Sequence, residues 1–357
     1  MINVTKTHMP KKEKYLKYID KIYESGWITN NGPLVQELEK RLAKHLNVKN
    51  IILVSNGTVA LDIAYKALGI KDEVITTPFS FVATTSSLVT SGIKPVYADI
   101  NPITYNLDPD NIVSQITSKT SAIVPVHVFG NACDIEEIEK IAKKHNLKVI
   151  YDAAHAFDVR YKDRSVLEYG DISTLSFHAT KLFHTIEGGA LIANDDSIVE
   201  KIRYLINFGI ESEDNIPELG INGKMNEFEA AMGLCMLDDM DYISMKRKAI
   251  VERYKDGLRG IVDFQEQNTN STQNHSYFSI LFKNSTTLAK IQKKLNNEDI
   301  YPRRYFYPSL DTLSYVHSPK PMTISQSISK KILCLPLYSS LEESTIDKII
   351  NIIRKDT

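Results

Sequence analysis

SFHATKLFHTIEGGALIAND, at residues 176–195, sets a lysine between two short apolar runs. Lys181 follows a strand-like run and precedes a loop with Gly188 and Gly189, after which a second strand is predicted. Most lysines are solvated surface residues. A lysine that attacks a carbonyl carbon must instead be neutral part of the time, and a rigid, partly buried position lowers its pKa. Because open α/β sheets bind ligands beyond the carboxyl ends of their strands, Lys181 is a candidate for such chemistry.

Short apolar runs like these recur through the first half of the chain and predict a sheet. They are rich in β-branched residues, and such continuous runs are typical of strands buried on both faces of a mainly parallel sheet. Helical patterns lie between most of them, for example at 58–69 and 134–146. This alternation predicts an α/β sandwich. The seven runs lie at 51–54, 74–77, 95–98, 122–126, 148–151, 172–176 and 190–193.

The second part of the chain has a different pattern. From about residue 228, apolar residues recur at intervals of three and four, which predicts one long helix or a broken pair that leads to a second domain. We therefore predict a large domain at 1–235 and a smaller α+β domain at 236–357. The other elements predicted there are a polar loop at 265–276, a strand at 277–282 and helices at 286–298 and 345–355.

Charge and composition exclude several classes of partner. Lys and Arg total 43 against 44 Asp and Glu, so no overall field attracts nucleic acid or an anionic membrane. The sequence contains neither a secretory signal core nor a run of about 18 apolar residues. We therefore expect a cytoplasmic protein without nucleic-acid or membrane partners. The three cysteines are odd in number and far apart, so we expect neither a disulfide framework nor a metal site.

Three further stretches contain candidate site residues. In VIYDAAHAF, at 149–157, Asp152 ends a predicted strand. It either caps a following helix or keeps a pyridine nitrogen protonated, and the residues alone leave both alternatives open. SNGT, at 55–58, lets backbone amides approach an anion at a helix start, but it is also an ordinary helix entry. Phe81, in TTPFSFVATT at 76–85, either stacks on a flat ligand or is a core aromatic residue.

Together these segments resemble the DegT/StrS-type sugar aminotransferases, a branch of the fold-type I pyridoxal phosphate enzymes. The resemblance implies an α/β/α sandwich with a mainly parallel seven-stranded sheet, plus a smaller α+β C-terminal domain. It also implies pyridoxal 5′-phosphate as the cofactor, with pyridoxamine 5′-phosphate as its aminated form. The segments are GWITNNGPLVQELEKRLAKHL at 26–46, SNGTVAL at 55–61, TPFSFVAT at 77–84, DAAHAF at 152–157, SFHATK at 176–181, EGGALIAND at 187–195 and LGINGKMNEFEAAMGL at 219–234.

The resemblance implies roles for residues at matching positions. Lys181 aligns with the lysine that bonds to the cofactor and moves a proton, and Asp152 with the partner of the pyridine nitrogen, so both are expected catalytic residues. Asn222 aligns with an asparagine that reaches the cofactor phosphate of the neighbouring subunit, which implies a homodimer with shared active sites. The other implied cofactor contacts are Gly57, Thr58 and Ser176 at the phosphate, Phe81 on one ring face and His155 near the 3′-oxygen.

The implied reaction moves the amino group of glutamate to the C4 keto group of dTDP-4-dehydro-6-deoxy-D-glucose and gives dTDP-4-amino-4,6-dideoxy-D-glucose. Amination of a dTDP-linked 3-keto isomer or of a UDP-linked 4-keto sugar remains an alternative, because the position of amination depends on the pose of the sugar. A non-catalytic sensor of the cofactor or sugar is the alternative from another class. A nicotinamide-dependent dehydrogenase is disfavoured, since no G-x-G-x-x-G follows a predicted strand.

The chain departs from the common pattern of these aminotransferases near the sugar pocket. It has Gly223-Lys224 where many members have Tyr-Arg, and Phe208 where many have histidine. The segment at 301–310 lacks the Pro-Leu-His ending of several members. The substrate contacts expected from the resemblance are Trp27, Asn30, Lys224, Arg304, Tyr305 and Tyr307.

Overall fold

A sheet of seven strands forms the centre of the larger part of the chain. The computed structural model describes residues 1–356, and none of the helices in that range is both long and apolar enough to cross a membrane. The strands are β1 Ile2–Asn3, β2 Ile51–Val54, β3 Glu73–Thr76, β4 Lys94–Tyr97, β5 Thr120–Val124, β6 Lys148–Asp152, β7 Arg160–Tyr161, β8 Arg164–Ser165, β9 Ile172–Ser176, β10 Gly189–Ile192, β11 Asp263–Phe264, β12 Ser279–Leu281, β13 Ile300–Tyr301 and β14 Ile332–Cys334. The α-helices are α1 Lys12–Ser25, α2 Pro33–Leu46, α3 Gly57–Ala67, α4 Val82–Thr90, α5 Pro109–Ile112, α6 Ile135–His145, α7 Asp196–Leu205, α8 Glu227–Leu258, α9 Ser285–Asn297, α10 Thr323–Ser329 and α11 Glu343–Asp356.

The central sheet has the strand order β2-β10-β9-β6-β5-β3-β4. Strand β10 runs antiparallel to both of its neighbours, and the other adjacent pairs are parallel. Every residue of β2, β3 and β10 is buried, because apolar cores with helices cover both faces of the sheet. The predicted mainly parallel seven-stranded sheet is confirmed, and each of the seven predicted runs overlaps one of its strands.

A single helix, α8, connects the two parts of the chain. It spans 32 residues, so the alternative of a broken pair is wrong. A capping box between Asn226 and Glu229 fixes its start. The N-terminal part of α8, as far as Ile243, packs into the core beside the sheet, and the part from Ile250 onward packs into a separate core. The predicted division after residue 235 stays a prediction, because the helix runs through it.

The separate core belongs to a smaller α+β unit. Strands β11, β12 and β14 form an antiparallel sheet, and α9 and α11 pack with it. The strand predicted at 277–282 is shorter than expected, and both helices predicted in this region are present. Strand β1 pairs in parallel with β13. The first residues of the chain therefore pair with this smaller unit, whereas the predicted large domain at 1–235 includes them.

Candidate active site

A cavity of about 350 Å³ lies beyond the carboxyl ends of the central strands. The end of β6, the loop after β9 and the start of α3 line it, and the smaller unit supplies a further wall with Arg303 and Tyr305. Open α/β sheets bind ligands at this edge, where strand ends and helix N-termini meet. The predicted site residues that line the cavity are Gly57, Thr58, Phe81, Asp152, His155, Ser176, Lys181 and Tyr305.

Two hydrogen bonds hold the carboxylate of Asp152, which is the last residue of β6 and is buried. Its Oδ2 accepts a hydrogen bond from Thr84 Oγ1 at 2.7 Å, and its Oδ1 accepts one from the Ala154 N–H at 3.1 Å. Burial raises the pKa of Asp152, whereas these bonds and the charge of Lys181 oppose that rise. No helix begins between β6 and β7, so the helix-capping alternative for Asp152 is wrong.

Lys181 lines the same cavity from the loop that joins β9 and β10. Burial among the surrounding protein atoms lowers the pKa of Lys181 to about 8, and the negative charge of Asp152 limits that fall. At this pKa a minority of the amine, about a fifth, is neutral near pH 7.4, far more than for an exposed lysine. The amine is therefore able to attack a carbonyl carbon or to accept a proton.

The start of α3 and the end of β9 form an anion site. Asn56 Oδ1 accepts a hydrogen bond from the Val59 N–H at 2.9 Å and caps the helix, so Gly57 and Thr58 lie in its first turn. First-turn N–H groups have no acceptor within the helix and attract anions. A Cβ atom at position 57 would lie 2.8 Å from the Cβ of Ser176, so glycine is required for this close approach. The first-turn amides of α3 and the hydroxyl groups of Thr58 and Ser176 can donate hydrogen bonds to a phosphate.

His155 belongs to an aromatic stack beside the cavity. Its ring lies parallel to that of Phe306, with centroids 5.7 Å apart, and meets the Tyr277 ring edge-on. Nδ1 accepts a hydrogen bond from the Phe129 N–H at 3.3 Å, which leaves the proton of a neutral ring on Nε2. Burial lowers the pKa of His155 well below its usual value, so the ring is neutral. Nε2 is therefore a hydrogen-bond donor.

Phe81 lines the cavity with an exposed ring. Its side chain is 48% exposed, whereas Phe79, two residues earlier, is fully buried in an aromatic cluster. The core alternative for Phe81 is therefore wrong. The position of its ring suits contact with a flat ligand.

The match to a protein family agrees with this geometry. Residues 10–354 match the DegT/DnrJ/EryC1/StrS aminotransferase family. The chain belongs to this family. The predicted aminotransferase activity is confirmed, and the alternative of a non-catalytic sensor is wrong.

Proteins with established names resemble this DegT/DnrJ/EryC1/StrS aminotransferase over nearly its full length. The dTDP-4-amino-4,6-dideoxy-D-glucose transaminase of Shigella dysenteriae is 45% identical over 361 residues, which cover 99% of this chain and 98% of that protein. The Escherichia coli protein of the same name is 40% identical over 362 residues, with the same coverage of both chains. The solved structure of DesI in the presence of its TDP-sugar product has a TM-score of 0.95 and 31% identity, and covers 99% of this chain and 92% of that one.

The DegT/DnrJ/EryC1/StrS aminotransferases depend on pyridoxal phosphate, so the predicted cofactor is confirmed. The residues of the cavity fit this group. Asp152 suits the ring nitrogen, Lys181 suits the aldehyde, and Ser176 with the start of α3 suits the phosphate. When bound, pyridoxal phosphate delocalises the negative charge that remains after a proton leaves the carbon next to the amino group. The protein itself supplies position, fixed charge and proton transfer.

Six of the predicted contact residues lie outside this cavity. Asn30 and Lys224 line a second cavity of about 270 Å³, where Lys224 Nζ donates a hydrogen bond to Asn207 Oδ1 at 2.8 Å. Arg304 donates to a backbone carbonyl of the smaller unit and lies 3.6 Å from the centroid of the Tyr307 ring. The roles of all six stay predictions. They are Trp27, Asn30, Asn222, Lys224, Arg304 and Tyr307.

The cavity also contains residues that the sequence analysis did not name. Arg303 lines it, whereas the predicted Arg304 does not. Neighbouring residues of an extended segment point to opposite sides, and nothing in the pair of arginines indicated which one faces inward. Thr84, which orients Asp152, was also missed. Its position three residues after Phe81, near the start of α4, was the available signal for it.

In the cofactor-free protein, we expect Lys181 to form its covalent bond with added pyridoxal phosphate at a rate that rises with pH and levels off above about pH 8. Only the neutral amine attacks, and burial lowers the pKa of Lys181 to about 8. The half-maximal rate should therefore fall roughly two pH units below the value expected for an exposed lysine. Stopped-flow absorbance over a range of pH measures this rate. A midpoint near that of exposed lysine would contradict the environment described for Lys181.

Replacing Thr84 with valine is expected to lower kcat roughly tenfold, because a hydrogen bond to a charged group contributes about 1.5–3 kcal/mol. Valine keeps the shape of threonine but removes the donor to Asp152 Oδ2. Since that bond opposes the rise in the pKa of Asp152, its loss should raise this pKa and move the acid limb of the kcat profile to higher pH. Steady-state kinetics over a range of pH tests both effects. Thr84→Ser retains the hydroxyl and should behave like the wild type, and an unchanged valine variant would exclude this role.

Proposed function

We propose that this aminotransferase moves the amino group of glutamate to C4 of dTDP-4-dehydro-6-deoxy-D-glucose and gives dTDP-4-amino-4,6-dideoxy-D-glucose. The names of two relatives that align over nearly the full chain support this choice of sugar and nucleotide. The proposal depends on one observation above all, the single cavity that the Lys181 amine and the Asp152 carboxylate share. Amination of a 3-keto isomer and of a UDP-linked 4-keto sugar are the alternatives to be separated by experiment.

Lys181 performs the proton transfers in this proposal. In the first half of the reaction its amine takes a proton from the α-carbon of glutamate, and in the second half it gives a proton to C4 of the sugar. A pKa of about 8 allows the amine to accept and to donate protons close to neutral pH. Asp152 would pair with the ring nitrogen of the cofactor and keep it protonated, and Thr84 fixes the direction of that carboxylate.

The remaining cavity residues bind the cofactor in this proposal and leave space for the sugar. Phe81 would cover one face of the ring, and Nε2 of His155, the nitrogen that carries the proton, would donate a hydrogen bond to the 3′-oxygen. Arg303 and Tyr305 extend from the smaller unit into the same cavity, where they contact the substrate. The phosphate is bound by Gly57, Thr58 and Ser176.

The proposal includes a homodimer with shared active sites. Asn222 is exposed and lies outside the cavity of its own chain, and in the proposed dimer it would contact the cofactor phosphate of the second copy. Trp27 and Phe208 are each 51% exposed, and a partner subunit would cover these apolar side chains. Asn30 and Lys224 line the second cavity, and in the proposed dimer they would reach the sugar bound by the partner subunit. A cytoplasmic location without nucleic-acid or membrane partners completes the proposal.

Product analysis tests the choice of substrate. The purified protein is incubated with pyridoxal phosphate, glutamate and one of three sugars, namely dTDP-4-dehydro-6-deoxy-D-glucose, its 3-keto isomer or a UDP-linked 4-keto sugar. We expect kcat/KM for the first sugar to exceed the others by at least about tenfold, since loss of matched polar contacts costs this much or more. NMR of the product should place the new nitrogen on C4.

The same assay separates the alternatives. A preference for the 3-keto isomer, with nitrogen on C3, would contradict the proposed position of amination. A preference for the UDP-linked sugar would contradict the proposed nucleotide. Replacement of glutamate by aspartate, alanine and glutamine as donors identifies the source of the amino group, and a higher rate with any of these would contradict the proposed donor.

A further inference from the structure

Residues 1–11, here called the N-terminal strap, run from the smaller unit to the loop that carries Lys181. At one end β1 pairs with β13, and the Leu337 N–H donates a hydrogen bond to the Val4 carbonyl at 3.1 Å. Farther along, Thr7 Oγ1 donates a hydrogen bond to the carbonyl of Ala179 at 2.9 Å. The strap therefore contacts the backbone two residues before Lys181.

A second contact reaches the same loop three residues after Lys181. The Nε2 of His184 lies 2.8 Å from the carbonyl of His8, and its Nδ1 accepts a hydrogen bond from the Ile186 N–H at 3.2 Å. His184 is buried and burial lowers its pKa, so the ring is neutral and Nε2–H is the donor to the strap. The ring of His8 lies within hydrogen-bonding distance of Asp239 and Ser339, which fix the strap in turn.

The loop between β9 and β10 depends on such contacts. It contains no helix or strand, and although some of its backbone groups bond within the loop, as the Lys181 N–H does to the His178 carbonyl at 2.8 Å, the Ala179 carbonyl accepts its hydrogen bond from the strap. On one side Phe183 is buried and stacks on Phe157, with ring centroids 4.7 Å apart. Lys181 itself faces the cavity, and the backbone just before it is held by the strap through Thr7.

We propose that Thr7 and His184 are positioning residues that hold the Lys181 loop against the N-terminal strap and keep the lysine amine directed into the cavity. Strand β13 leads directly to Arg303 and Tyr305, so the strap also fixes the loop relative to the cavity wall from the smaller unit. This inference rests on the proposed role of Lys181 and not on the identity of the sugar.

Hydrogen exchange and cofactor capture test this role with Thr7→Val, which keeps the shape of the side chain but removes its donor. In the full-length protein we expect the amides of residues 178–186 to exchange roughly threefold to tenfold faster, because one neutral hydrogen bond is lost. Capture of pyridoxal phosphate by the cofactor-free chain, followed by absorbance, should slow by a similar factor. Exchange in β5 and the melting temperature should stay at their wild-type values.

Two matched variants serve as controls for Thr7→Val. Thr7→Ser retains the hydroxyl and should match the wild type, and Lys6→Ala changes an exposed neighbour and should also leave exchange at 178–186 unchanged. The proposal is overturned if Thr7→Val leaves exchange at 178–186 unchanged, or if faster exchange spreads across the central sheet. Faster exchange in the loop with unchanged capture would also overturn it. The exchange result does not depend on transamination, so it separates failure of this inference from failure of the proposed function.

Discussion

Replacing Lys181 with alanine is expected to lower kcat for transamination by about 10³-fold or more, because one residue both bonds to the cofactor and transfers protons. Alanine leaves intact the hydrogen bond that orients Asp152 and the one that caps α3 at the anion site, since neither involves the lysine side chain. The variant should therefore still bind pyridoxal phosphate non-covalently, without a covalent bond to the protein. Equilibrium dialysis and steady-state kinetics measure the two properties separately.

Added amines provide a sharper test of the proton-transfer role of Lys181. Methylamine fits into the space left by the missing side chain and should restore part of the lost rate, in proportion to the fraction of neutral amine. Lys119→Ala removes an exposed lysine that does not line the cavity and should leave kcat unchanged. If Lys181→Ala transaminated at the wild-type rate, the assignment of the catalytic lysine would be wrong.

Replacing Asp152 with asparagine is expected to lower kcat by about 10²- to 10³-fold, the range found when a preorganised electrostatic contact to the reacting system is removed. Asparagine has nearly the same shape but no charge, so it cannot keep the ring nitrogen protonated. A second effect has a defined sign. The charge of Asp152 raises the pKa of Lys181, so its removal should shift the midpoint for cofactor capture below about 8.

A surface carboxylate offers the matched control for Asp152→Asn. Asp195 caps α7 at an exposed position, and Asp195→Asn keeps that cap while it removes the same charge. This variant should change neither kcat nor the pH of cofactor capture. If Asp152→Asn retained wild-type kcat, or raised the midpoint of capture, Asp152 would not be the partner of the ring nitrogen.

The central sheet could be predicted from the sequence because its strands are buried on both faces. Such burial leaves continuous apolar runs: β2 is apolar throughout, and β10 is apolar apart from Gly189. Helix α8 was predicted as an element, but whether it was continuous was not. The apolar residues of α8 up to Ile243 pack into one core and those from Ile250 onward pack into another. In the sequence, this change of partner resembles a break between two helices.

The polar part of the site was harder to predict, because its important contacts join distant segments. Thr84 and Asp152 are 68 residues apart, and Thr7 and Ala179 are 172 residues apart. No local pattern encodes such pairs. Which of Arg303 and Arg304 faces the cavity depends on how the chain turns after β13. Because the two residues are identical, their conformational propensities could not indicate which one faces inward.

Borohydride reduction of the cofactor-loaded protein, followed by peptide mass mapping, tests the placement of the cofactor most directly. Reduction makes the bond between lysine and pyridoxal phosphate permanent, and the modified peptide identifies the lysine. We expect the added mass on a single lysine, Lys181, and none in Lys181→Ala. Modification at Lys224 or another lysine, or no modification at all, would contradict a site in which Lys181 and Asp152 bind the same cofactor.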